Sequence, residues 1–368
     1  MIFALSTAHT AYAATLTGGI SLPTTPESLV YDSGKSQIYV TGSSGSVFAI
    51  SDNTNAVVTN VTSAGNSGIA YDSTKGEIFA ANTQTNTVSV ISDSSNTVIA
   101  NVKVGTNPKG VAYDSAKGEV FVANYGDGTV SVISDSTNAV VATVTVGTEP
   151  TSLACDSGKG EIFVVNSNFD SYQAGSNADS TVSVISDSSN AVVANITVGV
   201  QPWELAYDSG KGEIFVGNQN PGTVSVISDS SNAVVATVTA GPEPFGLVYD
   251  SGTSQVFVAC PSLTDAIWII SDNSNTATSK VNLDAYPSEV AYDSDKAEVF
   301  VTFATGIVIV SDDSGSSASP ILTSSASVSP SPTVPEFGSA TIVSVAAAMV
   351  VVTLCVLTLA TKTRKKVT

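Results

Sequence analysis

The feature that most constrains this chain is a motif that recurs seven times at a nearly fixed period. Its clearest part is a Tyr-Asp step, in one copy Cys-Asp, followed by a polar turn and an apolar run. The step falls at Tyr31, Tyr71, Tyr113, Cys155, Tyr207, Tyr249 and Tyr292, with spacings of 40, 42, 42, 52, 42 and 43 residues. A period of about 40–45 residues is typical of the blades of a β-propeller. The sequence therefore predicts a seven-bladed β-propeller.

Each repeat contains four short runs of residues that favour β-strands. In the fifth repeat they fall at 204–207, 213–216, 223–227 and 233–238, separated by segments rich in Gly, Ser, Asp and Asn. Four antiparallel strands joined by short turns make one propeller blade. Because no helical period is sustained before residue 339, we expect an all-β domain over 14–312.

The seventh repeat lacks its fourth strand. Its third strand ends at Val310-Ser311-Asp312, and a Ser/Pro-rich segment follows. An apolar run at 16–22 precedes the first repeat, and its Ile20 and Leu22 occupy the places of Val144 and Val146 in the third repeat. We predict that this N-terminal strand completes blade 7, which removes an open sheet edge. If residues 317–324 formed the last strand instead, the chain would leave the domain on the opposite face.

The repeat resembles the YVTN-type β-propeller repeat of archaeal and bacterial surface-layer proteins. The pattern runs Pro-x-x-Leu/Val-Ala-Tyr-Asp, then Ile/Val-Phe-Val-Ala-Asn, Thr-Val-Ser-Val-Ile and Asn-Ala-Val-Val-Ala-Thr-Val-x-Val-Gly. The third repeat has Phe121-Val122-Ala123-Asn124 where that family has Tyr-Val-Thr/Ala-Asn. The resemblance covers 14–312 and implies a propeller on the cell surface. The same repeat also occurs in lactonase-like and quinoprotein-like enzymes, so it predicts the fold better than the function.

Charge and residue usage exclude several functions. Before residue 339 the chain has 9 basic and 32 acidic residues, which argues against a nucleic acid as partner. Its single His is His9 and its single Arg is Arg364, so the repeats contain neither. That excludes Ser-His-Asp or Cys-His catalysis and His-ligated metal within them. We therefore expect a protein that is not an enzyme and has no resident cofactor. A propeller enzyme with a carboxylate-bound metal is the alternative.

Strand direction places fourteen repeated aspartates on one face, here called the acidic face. They are Asp32, Asp72, Asp114, Asp156, Asp208, Asp250 and Asp293 of the Tyr-Asp steps, and Asp52, Asp93, Asp135, Asp187, Asp229, Asp272 and Asp312 of the Ser-Asp turns. One interpretation is that they build tight turns. The other is calcium binding, since clustered carboxylates suit a hard cation. Asp170 and Asp179, in an insertion of the fourth repeat, are weaker metal candidates.

The opposite face differs between repeats, which is where specificity is expected. The fourth repeat carries an insertion at 167–180 that includes Phe169 and Tyr172. Trp203 and Phe245 follow loop prolines in adjacent repeats, and Tyr125 lies in a matching loop. These five aromatic residues are our candidates for binding a glycan or a protein partner. The alternative is that they only plug the channel mouth or pack the insertion.

The N-terminal segment and two short motifs indicate export. Residues 1–13 read MIFALSTAHTAYA, and Ala11-Tyr12-Ala13 has the form of a signal-peptidase site. We interpret the segment as a signal peptide whose start is missing; a frayed N-terminus is the alternative. Asn60 and Asn195 begin Asn-x-Thr sequons in predicted outer strands, although so short a pattern also arises by chance.

The C-terminal segment predicts a membrane anchor. Residues 313–334 form a Ser/Pro-rich stalk, and 339–361 are an uncharged, mostly apolar run of 23 residues, long enough to span a bilayer. Basic residues follow, which places the tail in the cytoplasm and the propeller outside. Pro335-Glu336-Phe337-Gly338, the apolar run and the basic tail of 335–368 together resemble PEF/PEFG sorting signals of archaea. That resemblance implies processing by an archaeosortase-like enzyme, with the span removed and the protein re-anchored.

These features together predict a membrane-anchored, extracellular propeller that serves as an envelope component or an adhesion and recognition module. A purely structural surface-layer subunit is a third possibility. Cys155 and Cys260 lie in repeats that should not touch, so we expect two small, buried free thiols.

Overall fold

The computed structural model describes residues 14–169, 180–262 and 265–311. They form seven sheets of four antiparallel strands. The innermost strands of consecutive sheets contact one another in order, and the strands of the last sheet contact those of the first. The predicted all-β, seven-bladed propeller is therefore confirmed. Within these ranges no helix is long and apolar enough to cross a membrane; the predicted span at 339–361 lies outside them.

Blades 1 to 6 use their strands in chain order from the central channel outwards, and blade 7 does so for three strands and takes β1 as its outermost strand. Blades 1 to 3 comprise β2 (Pro26–Asp32), β3 (Gln37–Gly42), β4 (Val47–Ser51), β5 (Ala56–Val61); β6 (Ile69–Asp72), β7 (Glu77–Asn82), β8 (Thr87–Ser92), β9 (Thr97–Lys103); and β10 (Pro108–Asp114), β11 (Glu119–Asn124), β12 (Thr129–Ser134), β13 (Ala139–Thr145). Blades 4 and 5 comprise β14 (Pro150–Asp156), β15 (Glu161–Asn166), β16 (Thr181–Ser186), β17 (Ala191–Thr197); and β18 (Val200–Asp208), β19 (Glu213–Asn220), β20 (Thr223–Ser228), β21 (Ala233–Thr239). Blades 6 and 7 comprise β22 (Leu247–Asp250), β23 (Gln255–Cys260), β24 (Ala266–Ser271), β25 (Thr276–Asn282); and β26 (Val290–Asp293), β27 (Glu298–Phe303), β28 (Gly306–Ser311) and β1 (Thr15–Ser21).

The N-terminal strand closes the ring as predicted. β1 pairs antiparallel with β28, and Ile20 lies opposite Ile307. The amide of Leu22 donates to the carbonyl of Thr305 at 3.1 Å, as the amide of Val146 does to Gly128 in blade 3. Ile20 and Leu22 are buried. The place of a fourth strand in blade 7 is therefore filled by β1, and the alternative at 317–324 is not needed for closure.

Apolar side chains of neighbouring blades form the core. One aromatic residue at the same position of each second strand is fully buried: Tyr39, Phe79, Phe121, Phe163, Phe215, Phe257 and Phe300. In the cluster between blades 3 and 4, Phe121 packs with Val132 of its own blade and Leu153 of the next. Each cluster spans two blades, so the recurring apolar residues hold blades together as well as filling them.

The motif asparagine that follows this aromatic residue is also part of the scaffold. Asn124 is fully buried, and its Nδ2 donates to Thr129 Oγ1 at 3.0 Å and Ser131 Oγ at 2.9 Å. Its Oδ1 accepts from the amide of Gly105, in the link from blade 2, at 3.1 Å. Asn166 makes the matching contact with Gly147. The asparagine thus links each of these two blades to the segment of chain that enters it. These hydrogen bonds also supply the partners that a buried polar side chain requires.

On the acidic face, the Tyr-Asp aspartates act as turn acceptors. Asp208 is fully buried, and its Oδ1 accepts from the amides of Gly210 at 2.8 Å and Lys211 at 3.2 Å. Asp72 accepts from Thr74 and Lys75 in the same way. Among the described residues no group of three or more Asp, Glu, His or Cys could hold a metal ion. The turn-building interpretation explains these contacts, and calcium binding stays a prediction.

The lysines of the acidic face link blades to one another. The four ion pairs found in the described ranges join a hairpin lysine to the Ser-Asp aspartate of the next blade: Lys75 to Asp135 at 3.2 Å, Lys159 to Asp229 at 3.0 Å, Lys211 to Asp272 at 3.9 Å and Lys296 to Asp52 at 3.5 Å. The last of these crosses from blade 7 to blade 1. Such partly exposed pairs contribute about 0–1 kcal/mol each, so they add little to the stability of the ring.

Two strands of blade 5 are longer than predicted. β18 begins at Val200 rather than at 204, and β19 continues to Asn220 through a segment predicted to be a loop. The backbone pairing between β18 and β19 continues beyond Pro202 and Asn218, so that Val200 lies opposite Asn220. Cys155 and Cys260 are both free thiols, but only Cys260 is buried as expected, whereas Cys155 is half-buried.

Candidate functional site

The two residues after the loop proline, or after Asn66 in repeat 2, line the central channel in two rings. The upper ring, next to the prolines, consists of Glu27, Ser67, Lys109, Thr151, Trp203, Phe245 and Ser288. The lower ring consists of Ser28, Gly68, Gly110, Ser152, Glu204, Gly246 and Glu289. Almost all of these residues line one cavity of about 220 Å³, here called the channel. Because every blade contributes one residue to each ring, the propeller brings together residues that are far apart in sequence.

Close packing of the blades excludes side chains at three lower-ring positions. A Cβ on Gly110 would lie 2.8 Å from the backbone of Thr151 and Ser152 in the next blade. Gly68 and Gly246 approach the next blade's backbone in the same way. Gly246 lies between blades 5 and 7, which carry Glu204 and Glu289. These two carboxylates therefore face a part of the channel with no side chain between them.

The channel raises the pKa of its carboxyl groups. Burial raises the pKa of Glu204 to about 7, and hydrogen bonds from Ser152 Oγ and from the Leu205 amide offset part of that shift. Burial also raises the pKa of Glu289 well above its usual range, with repulsion from Glu204 and Glu27 as further causes. The pKa of Glu27 is raised by burial and lowered by Lys109. The lower ring therefore retains protons at pH values where exposed carboxyls have lost them.

We expect the propeller to gain stability as the pH falls from 8 towards 5. Between the unfolded pKa of 4.5 and the folded pKa of about 7, folded Glu204 binds more protons than the unfolded chain. Unfolding then releases protons, so the free energy of unfolding decreases as the pH rises through this window. Melting temperatures measured at intervals of half a pH unit test this. Glu204→Gln should flatten the profile, and a melting temperature that rises from pH 5 to 8 would contradict the prediction.

The predicted aromatic residues converge beside the channel mouth. The Trp203 and Phe245 rings lie 5.1 Å apart at 36°, and Phe169 meets Trp203 edge-on at 6.4 Å. Lys109 Nζ lies 6.0 Å from the centroid of the Tyr125 ring. They line a second cavity of about 560 Å³, here called the aromatic cavity, with Asn107, Gln219, Glu243, Pro261, Tyr286 and Ser288. Tyr172, Asp170 and Asp179 lie outside the described residues.

The channel and the aromatic cavity share three lining residues, Lys109, Trp203 and Phe245. Trp203 and Phe245 therefore line both the channel and the aromatic cavity, and their predicted role in binding stays a prediction. Sequence reasoning missed Lys109, Glu204, Glu289 and Tyr286. Aligning the two positions after each loop proline across the repeats would have found the first three, because these positions vary while their neighbours repeat.

The remaining predicted sites lie on the outer strands or outside the described residues. Asn60 on β5 and Asn195 on β17 are both exposed. A sequon is modified only where it is accessible, and both meet that condition. The sorting motif Pro335, Glu336, Phe337 and Gly338 lies outside the described residues, as does the segment at 1–13.

Comparison with known proteins supports the fold. No protein-family model and no curated protein sequence matches the chain. A solved structure of Kuenenia stuttgartiensis hydrazine synthase is similar with a TM-score of 0.68 and 16% sequence identity, covering 78% of this chain and 96% of that chain. At this identity the likeness shows a shared fold alone. The chain is thus similar to a solved β-propeller over nearly the whole length of that protein.

Proposed function

We propose that this protein is a non-enzymatic recognition module of the cell envelope that binds a glycan or protein partner at the aromatic cavity. The observation that carries the proposal is the convergence of Tyr125, Phe169, Trp203 and Phe245 on one cavity, whereas the opposite face consists of repeated turns. Aromatic rings with polar neighbours such as Asn107 and Gln219 suit sugars and protein side chains alike. The repeats also contain neither His nor Arg.

Replacing Trp203 or Phe245 by Ala should weaken partner binding by tenfold or more, since buried aromatic anchors dominate recognition energies. The wild-type chain is first screened on a glycan array and on immobilised envelope proteins, and each variant is then titrated against the ligand found. Val235→Ala, on the exposed outer strand of the same blade as Trp203, is the matched control. Full binding by both aromatic variants would contradict the proposal.

We further propose that the propeller is held at the cell surface through 313–368. The stalk, the apolar span and the PEFG-like motif support this, together with the signal-like segment at 1–13. Ser311, the last described residue, ends β28 on the acidic face, so the described chain ends away from the aromatic cavity. Protease treatment of intact cells should remove the propeller; full protection would contradict surface display.

A propeller enzyme that uses a carboxyl group of the channel is the second candidate. It is favoured by the carboxyl group of Glu204, whose pKa of about 7 suits a general acid or base. The solved structure that resembles this chain is also named as an enzyme. This candidate requires a turnover in the wild-type chain that Glu204→Gln abolishes. A full turnover by that variant would remove Glu204 from such a mechanism.

A further inference from the structure

The channel holds more carboxylates than cations. Among the described residues that line it, Glu27, Glu204 and Glu289 are acidic and Lys109 is basic. Lys109 interacts with Glu27 in the upper ring. In the lower ring, Glu204 and Glu289 repel each other. A carboxylate enclosed by protein without a cation is costly, so it takes up a proton or attracts a positively charged group. The lower ring is therefore an acceptor for a cation.

Aromatic rings line the approach to this acceptor. Trp203 and Phe245 belong to both cavities, so a ligand passing from the aromatic cavity into the channel contacts them. The face of an aromatic ring attracts cations electrostatically. The chain's own Lys109 illustrates this at the same mouth, since its Nζ lies 6.0 Å from the centroid of the Tyr125 ring. The aromatic rings and the carboxylates thus both favour a positively charged ligand.

The donors of the lower ring fit an organic cation better than a metal ion. Calcium takes about six to eight oxygen ligands, whereas the side chains of this ring offer two carboxylates and the hydroxyls of Ser28 and Ser152, of which Ser152 already donates to Glu204. A primary ammonium group has three N–H donors, which the oxygens of Glu204 and Glu289 can accept. The channel has about 220 Å³ against 560 Å³ for the aromatic cavity, so it suits a thin alkyl chain.

We propose that the channel binds a primary alkylammonium group, with its nitrogen between Glu204 and Glu289 and its carbon chain against Trp203 and Phe245. The group is the side chain of a lysine or one end of a free alkyl diamine, which share this chemistry. The proposal rests on the proposed function and specifies the ligand of the same site. The net charge of −19 supports it by attracting cations towards the protein.

Calorimetric titration of the full chain at pH 8 tests the ligand class. The probes are Nα-acetyl-lysine methylamide, cadaverine and Nα-acetyl-norleucine methylamide, the last of which keeps the alkyl chain but lacks the ammonium group. Both amines should bind, and the norleucine compound should bind at least tenfold more weakly. Tighter binding of the lysine compound than of cadaverine would assign the group to a protein partner, and the reverse order would assign it to a free diamine.

Charge-removing variants test the position of the nitrogen. Glu204→Gln and Glu289→Gln should each weaken amine binding by tenfold or more, because each removes one acceptor charge while keeping the shape. Glu213→Gln is the matched control, since it makes the same charge change at the start of β19 on the acidic face and should stay within twofold. An equal loss of affinity in all three variants would mean that the effect comes from net charge alone. It would overturn the position assigned to the nitrogen.

Proton release provides a readout that a structural role would not change. Because the pKa values of Glu204 and Glu289 are raised, the empty lower ring holds protons that an ammonium group must displace. Amine affinity should therefore rise from pH 6 to pH 8, and titrations in two buffers of different ionisation heat should show proton release. Glu27, Lys109 and Ser152 face the same space, and Lys109→Met should leave the direction of this dependence unchanged.

Three outcomes would overturn the proposal. They are equal binding of the norleucine and lysine compounds, absence of amine binding in a folded chain, and calcium binding that is lost in Glu204→Gln while amines do not bind. The proposed function fails separately, because it requires Trp203 and Phe245 but does not require Glu204 or Glu289. A glycan or protein partner whose affinity is unchanged in both glutamate variants would leave recognition at the aromatic cavity intact and exclude the ammonium group.

Discussion

Deleting residues 14–22 is expected to lower the melting temperature by more than about 10 °C or to abolish cooperative unfolding. The deletion removes β1, and with it the buried side chains of Ile20 and Leu22 and the ladder to β28. Burial of two such side chains contributes about 3–6 kcal/mol, and several ladder hydrogen bonds add about 0.5–1.5 kcal/mol each. The sum is comparable with the whole stability of a typical domain, about 5–15 kcal/mol.

A matched variant separates the role of the strand from a general effect at the N-terminus. Leu16 lies on the same strand and is 52% exposed, so Leu16→Ser should shift the melting temperature by less than about 2 °C. Ile20→Ala should fall between the two. Differential scanning calorimetry of the three variants gives the comparison, with size-exclusion chromatography to detect aggregation through the exposed edge of β28. An unchanged melting temperature in the deletion would mean that blade 7 closes by another segment.

Replacing Asp32 by Ala is expected to cost about 2–4 kcal/mol, whereas Asp32→Asn should stay within about 1 kcal/mol of the wild type. The Oδ1 of Asp32 accepts from the amide of Lys35 at 3.1 Å and also from the amide of Gly34. Alanine leaves both donors without this acceptor, and asparagine keeps it. The charge itself does not stabilise the site, because burial and repulsion from Asp93 raise the pKa of Asp32. Urea unfolding of both variants measures the difference.

The same variants decide between turn building and calcium binding on the acidic face. If the carboxylates bind calcium, the ion raises the wild-type melting temperature, a chelator lowers it, and Asp32→Asn reduces that shift. If they build turns, calcium has no effect and the Asn variant behaves as the wild type. Asp284→Asn is the control, because Asp284 is exposed and lies outside the repeated hairpins and turns. A large loss of stability in Asp32→Asn without calcium would contradict the turn interpretation.

The fold followed from the sequence because its determinants are local and repeated. The Tyr-Asp step and the Ser-Asp turn mark each blade within about 40 residues, and seven copies leave little freedom in the blade count. The closing strand was predictable for the same reason, since Ile20 and Leu22 match positions in complete repeats. The placement of the hairpins and the Ser-Asp turns on one face agrees with the ion pairs that join them in the described ranges, although these pairs were not predicted; Asp312 lies outside those ranges. Lys75 and Asp135 belong to different repeats, and only packed blades show that they meet.

The candidate site was predicted in part. Tyr125, Trp203 and Phe245 were found because they are aromatic residues in loops that vary between repeats. Glu204 and Glu289 were missed because neither stands out within its own repeat: Glu204 lies on β18, and Glu289 directly precedes β26. Their role depends on the packing of consecutive blades, which places blades 5 and 7 on either side of Gly246 in blade 6. Such a site belongs to the assembled ring, and no single repeat contains it.

The pairing of β1 with β28 also determines the order in which the blades can fold during synthesis. Thr17 Oγ1 donates to the carbonyl of Ile309, across 292 positions of the chain. Closing a loop of that length costs about 5 kcal/mol of chain entropy, whereas each blade pairs strands that are neighbours in sequence. Blades 1 to 6 can form while the chain emerges, but the first strand to be made must wait for the last. A newly made propeller therefore exposes two unpaired sheet edges until β28 has been made, and such edges are prone to aggregation.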